Sequence, residues 1–139
     1  MIANSPVFVN LAAADIERAK RWYAEKLELT PAMDLGVGGY LYVSGGTPFI
    51  IYETAAAGSA RNTVASFVVD DLPAVMEQLR SRGVVFEDYA MGDKGPTTEN
   101  GMASDPTGGR AAWFKDSEGN VLSLMQPPPG MTIPGLPTR

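Results

Sequence analysis

Histidine and cysteine are both absent from the 139 residues. Without histidine the chain lacks the commonest general base and the commonest ligand for zinc, nickel and non-haem iron. Without cysteine it has no disulfide, no thiolate nucleophile and no Cys-type zinc or iron–sulfur site. No apolar run is long enough to span a bilayer, and Met1 to Pro6 has neither the basic cluster nor the apolar stretch of a signal peptide. These absences lead to the expectation of a cytoplasmic protein with no membrane partner. A basic block is also missing; the net charge of −5 speaks against a nucleic-acid surface. The glycines at Gly36, Gly38 and Gly39 and at Gly108 and Gly109 lack both a P-loop lysine and a dinucleotide-binding fingerprint, so they read as turns.

What is present suits one folded domain over residues 1–139, since 45% of the residues are hydrophobic and the length supports a single core. Val7 to Ala13 alternates as a strand, and Asp15 caps a helix to Leu27 whose Ile16, Ala19, Tyr23 and Leu27 form one stripe. Its charges Glu17, Arg18, Lys20, Arg21, Glu25 and Lys26 read as a solvated face with local pairs. After Thr30-Pro31, three short strands follow at Ala32 to Leu35, Gly39 to Val43 and Pro48 to Glu53. This is a βαβββ unit over residues 6–53.

A second unit spans residues 63–126. Val64 to Val69 reads as a strand, Asp71 caps a helix with Leu72, Val75, Met76 and Leu79 at helical spacing, Pro73 sits in its first turn and Gly83 ends it. Strands are then expected at Val84 to Asp88, Ala111 to Phe114 and Val121 to Met125. The last two form a hairpin around Asp116-Ser117-Glu118-Gly119-Asn120, where short polar side chains bond their own backbone.

One gapless shift superposes Val9 on Ala65, Leu11 on Phe67, Asp15 on Asp71 and Tyr23 on Leu79. A larger shift superposes Tyr40 on Trp113, Gly46 on Gly119 and Phe49 on Leu122. The difference measures an insertion in the second copy, assigned to the polar, glycine-rich stretch Ala90 to Gly109. Asp93, Lys94, Glu99, Asp105 and Arg110 border it and read as a polar loop before they read as a lid. Residues 127–139, PPPGMTIPGLPTR, are a proline-rich tail.

With its paired βαβββ units, the segments AADIERAKRWYAEKLEL and VVDDLPAVMEQLRSRGV, and the closing WFKDSEGNVLSLMQ, the chain resembles the vicinal oxygen chelate superfamily of glyoxalases, extradiol dioxygenases and bleomycin-resistance proteins. The resemblance implies an α+β fold: two modules forming a curved, mostly antiparallel, cup-shaped sheet with helices on the outer face. It also implies a small-molecule ligand and a homodimer. Family members that bind a metal place ligands on the first and last strand of each module. Here those positions fall on Phe8, Val64, Ile50 and Ser123, three of them hydrocarbon, so no metal and no other cofactor is expected. Glu53 lies on the opposite face from Ile50 by strand alternation.

The same alternation, given the implied cup, directs Phe8, Asn10, Tyr40, Tyr42, Ile50, Tyr52, Val64, Ser66, Trp113, Ser123 and Met125 toward a ligand. The lining is aromatic with a few hydroxyls and one amide, the makeup of a pocket for a flat, largely apolar molecule. Taken singly, Phe8, Ile50, Val64 and Val68 read first as core. Trp113, Tyr40 and Tyr52 suit core and ligand equally, and Asn10, Ser66 and Ser123 gain from being polar in apolar surroundings. Two function classes follow. One is metal-independent sequestration of a small molecule; the other is a cofactor-free enzyme of lyase or isomerase type, with Glu53, Glu99 and Asp105 as candidate bases.

Overall fold

Asp15 and Asp71 start the two helices in the same way. Each adopts an extended conformation, and its carboxylate accepts a hydrogen bond from a backbone N–H of the first turn, Arg18 for Asp15 and Ala74 for Asp71. The last residue of each module's final strand reaches to the same place: Glu53 Oε2 accepts from Ile16 N at 3.2 Å, and Gln126 Oε1 from Leu72 N at 2.7 Å. Four orphan donors at two helix starts are thus met by one device used twice, which is stronger evidence for the internal repeat than residue identity.

A computed structural model describes residues 2–136; the last three residues of the expected tail, 137–139, lie outside the described residues. The first module holds β1 (Val9–Ala13), α1 (Ile16–Leu27), β2 (Met33–Asp34), β3 (Gly39–Ser44) and β4 (Thr47–Glu53). The second holds β5 (Thr63–Val68), α2 (Leu72–Ser81), β6 (Ala103–Ser104), β7 (Arg110–Lys115) and β8 (Val121–Gln126). Each module makes a four-stranded sheet, in the orders β1-β4-β3-β2 and β5-β8-β7-β6. In each, the first strand pairs parallel with the last and the other pairings are antiparallel. This is an α+β fold of two mixed sheets that stay open, the arrangement of a two-module cup.

The second sheet departs from expectation at one edge. No strand spans 84–88; the pairing there is a bridge between Phe86 and Phe114, with Glu87 N donating to Trp113 O at 2.8 Å. The edge resumes only at β6, which lies inside the stretch assigned to the insertion. The chain between them loops out and is tied back by Asp88, whose Oδ1 accepts from Thr98 Oγ1 at 2.7 Å and Gly101 N at 2.8 Å. An insertion entering an edge strand splits it, because an edge has only one neighbour to hold its register.

The core collects the helix-facing residues of both modules. Leu11, Tyr23, Tyr42, Ile51, Leu72, Phe114 and Leu122 are almost wholly buried. Contacts between modules run through this side: Trp22 stacks on Phe114 at 6.3 Å between ring centroids, and Phe49 meets Phe67 edge-on at 6.4 Å.

The β7–β8 turn adds a polar staple. Tyr23 donates to Asp116 Oδ2 at 2.6 Å, and Asn120 Nδ2 donates to both Asp116 Oδ2 and Ala12 O at 2.8 Å. Glu118 accepts from Ala14 N, Asp15 N and the Arg18 guanidinium. Asp116 also bonds its own turn through Glu118 N and Asn120 N, as expected of such residues. The helix charges are therefore not all solvated. Lys20 pairs locally with Glu17, but Arg18 reaches across to the other module.

Candidate functional site

Register decides which side chains share the helix-free face of each sheet. In β1 and β4, Asn10 stands opposite Ile50 and Ala12 opposite Tyr52; in β3, Leu41 stands opposite Ile50. These residues share the helix-free face of the first sheet. In the second sheet Ser66 and Trp113 both stand opposite Ser123, and Ala111 opposite Met125. Asn10, Ile50, Tyr52, Ser66, Trp113, Ser123 and Met125 therefore share the helix-free faces of the two sheets. Phe8, just ahead of β1, is exposed.

Tyr40 and Tyr42 are corrected. Both lie under α1: Tyr42 packs on Tyr23 and Phe49, with centroids 5.9 and 5.3 Å apart, and Lys20 Nζ sits 4.3 Å from the Tyr40 ring centroid. The cause is one residue of turn length. Gly45 and Gly46 alone join β3 to β4, whereas Ser117, Glu118 and Gly119 lie between the paired Asp116 and Asn120. The counterpart of Trp113 is accordingly Leu41, and that of Phe114 is Tyr42, since Tyr42 opposes Phe49 as Phe114 opposes Leu122. A one-residue slip moves every side chain of a strand to the other face. Val64 is likewise displaced. It sits at the irregularity between Thr63 and Ala65 and packs against the core.

Two residues at this face were missed. Thr63 Oγ1 accepts from Trp113 Nε1 at 3.1 Å, and Tyr89 meets the Trp113 ring edge-on at 5.6 Å. Tyr89 lies where the chain leaves the sheet edge, and Thr63 at the irregular start of β5, so neither carried a periodic signal. Ser123 and Ser66 bond each other at 2.6 Å, Ser123 buried and Ser66 exposed. Trp113 is held half-buried by Thr63 and Tyr89, with its remaining ring surface available for stacking.

The donor set does not fit a divalent metal. The positions to which the resemblance would assign metal ligands carry the hydrocarbon side chains of Phe8, Val64 and Ile50, and the fourth is a serine already bonded to another serine. Among the described residues no group of three or more carboxylates is placed to hold an ion. The candidate bases are engaged elsewhere or stand apart: Glu53 caps α1, and Asp105 accepts from Thr107 and Gly109 within its own turn, bonds that lower its pKa. Glu99 lies exposed in the loop, bridged through its backbone to Met102. The strongest electrostatic perturbation lies at the staple. There the Arg18 hydrogen bonds, with those from Asp15 N and Ser117, hold the Glu118 pKa down to about 2.

No family model matches the chain, and no curated protein matches it in sequence. Solved structures are similar in fold. One is a lactoylglutathione lyase from Agrobacterium tumefaciens, at 14% identity and TM-score 0.66, with 92% of this chain and 98% of that one covered. Another is the fosfomycin resistance protein FosX from Listeria monocytogenes, in a mutant complexed with Mn(II) and 1S,2S-dihydroxypropylphosphonic acid. It has 14% identity and TM-score 0.63, with 87% of this chain and 88% of that one covered. A third is an integron cassette protein from the mobile metagenome of the Halifax Harbour sewage outfall, at 16% identity and TM-score 0.63, with 89% and 99% covered.

Proposed function

We infer that this chain, which has the fold of the vicinal oxygen chelate superfamily, is a metal-independent binding protein for a small, largely apolar or aromatic molecule. The reading rests on one observation. The helix-free faces present Trp113, Tyr52, Ile50, Met125 and Phe8 with a few polar groups, Asn10, Thr63, Ser66 and Ser123, where the family would need metal ligands. Aromatic and aliphatic walls supply contact area, and sparse amide and hydroxyl groups fix orientation. Sequestration of a drug-like molecule is the function this chemistry serves. A cofactor-free lyase or isomerase is the other reading, but Glu53 and Asp105 already accept from backbone N–H groups, of Ile16 and Gly109, which favours binding.

The bound form is proposed to be a homodimer. Among the described residues neither β1 nor β5 has a neighbour on its outer side, and β1 begins at the exposed Val9, preceded by the exposed Phe8. An unpaired apolar edge calls for cover, and two-fold association is the simplest way to supply it.

Elemental analysis and a compound-library thermal shift test the proposal together. The purified protein is expected to hold no stoichiometric transition metal, to keep its Tm in chelator, and to gain Tm with flat apolar compounds. One tightly held metal per chain would sink the metal-independent reading.

A further inference from the structure

The helix-covered sides of the two modules leave a second space, on the other side of the sheets from Trp113. A cleft of about 550 Å³ lies between them. Leu11 and Phe49 wall it from the first sheet, Ala65 and Phe67 from β5, and Val75 and Leu79 from α2. These side chains point toward the core by register, yet Ala65, Phe67 and Val75 are only half-buried. The volume falls within the range of small-molecule sites, and an unfilled apolar space forfeits the dispersion contacts that a ligand would restore.

The mouth is not apolar. Lys26 and Glu28 from the end of α1, and Arg82 from the end of α2, stand there. Arg82 Nη2 pairs with Glu28 Oε1 at 3.0 Å, which balances one positive charge. Lys26 Nζ donates to the Arg82 carbonyl, a neutral acceptor, and pairs with no carboxylate among the described residues. The mouth therefore carries an uncompensated cation beside an apolar interior.

We propose that this cleft binds a small amphiphile with a carboxylate head, its apolar body between the modules and its carboxylate at Lys26. The cleft reaches the helix-free side at the edge strand β5, through Ser66 and Val68, and the proposal stands whether or not Trp113 binds a ligand.

Isothermal titration calorimetry with decanoate and decanol tests it. Wild type is expected to bind both, with decanoate favoured about tenfold, a reasonable yield for one partly desolvated ion pair. Lys26→Met should equalise the two probes. Ala65→Phe and Val75→Phe, which fill the cleft, should each weaken both probes about tenfold or more, while Trp113→Ala should leave both unchanged. Either filling variant that retains the wild-type circular dichroism decides this arm. Lys26→Met, at a half-exposed helix end, decides the other. A Kd weaker than about 1 mM for both probes overturns the proposal. So does an undiminished preference for decanoate in Lys26→Met, or decanoate binding lost in Trp113→Ala and kept in the filled variants. A filled variant that turns a wild-type dimer into a monomer would assign the cleft to a second chain and overturn it equally.

Discussion

Trp113 and Phe114 are adjacent in sequence and do different work. Phe114 is wholly buried between Trp22 and Phe86, whereas Trp113 is half-buried on the helix-free face against Tyr89. Phe114→Ala is expected to cost about 3–5 kcal/mol, the range for deleting a buried aromatic. Trp113→Ala should cost less stability and most of the affinity for a ligand found by thermal shift. Denaturant titrations and binding isotherms on both variants separate these effects; equal losses of affinity would remove the ligand from this face. Tyr42 offers an opposite test. Its ring is fully buried, but its hydroxyl finds no hydrogen-bond partner among the described residues, and burial pushes its pKa up to about 12. A buried hydroxyl without a partner costs stability, so Tyr42→Phe should raise the unfolding free energy by up to about 1 kcal/mol. A clear loss on urea unfolding would mean that the hydroxyl has a role.

At the level of elements, the β7–β8 turn joins the modules more specifically than the apolar contacts do. Its Glu118 carboxylate is buried and collects the Arg18 guanidinium with two backbone donors of the β1–α1 connection. Glu118→Gln keeps the size but removes the charge that these donors converge on, and is expected to destabilise by about 1–3 kcal/mol. The pH dependence has a definite sign. A carboxylate whose folded pKa is held down to about 2 contributes stability that is complete above the ordinary carboxyl range. That contribution is lost as pH falls toward about 2. Wild type should therefore lose its advantage over Glu118→Gln on acidification through this window, measured by thermal melts at stepped pH. A gap between the two proteins that stays constant down to pH about 2 would contradict the assignment of the charge to this network.

For the whole molecule, the open edges of β1 and β5 and the exposed apolar face of the first sheet set the expectation. Val43, Tyr52 and Met33 all stay substantially exposed there, at 46, 40 and 55%. A face of this kind on a stable protein marks an interaction surface. Sedimentation at micromolar concentration should give about twice the 14.8 kDa chain mass, and a monomer would contradict the homodimer.

The sequence by itself determined the module count, both helices with their aspartate caps, the terminal hairpin and the opposed faces of Trp113 and Phe114. All of these are local. A cap needs one side chain near one helix start, and alternation along a strand needs only its neighbours. The absence of histidine and cysteine likewise removed imidazole and thiolate from the available metal donors. The tertiary structure decided what depends on distant partners. It turned Tyr40 and Tyr42 under α1, because the facing of β3 is set by its pairing with β4 through a turn one residue shorter than its counterpart. It split the edge strand around the 88–102 loop and brought Tyr89 to Trp113. It also drew Glu118, a turn residue in the sequence, into a network with Arg18 and the β1–α1 connection about a hundred residues away. Such contacts leave no period in the sequence, since the chain must fold before the groups that satisfy each other meet.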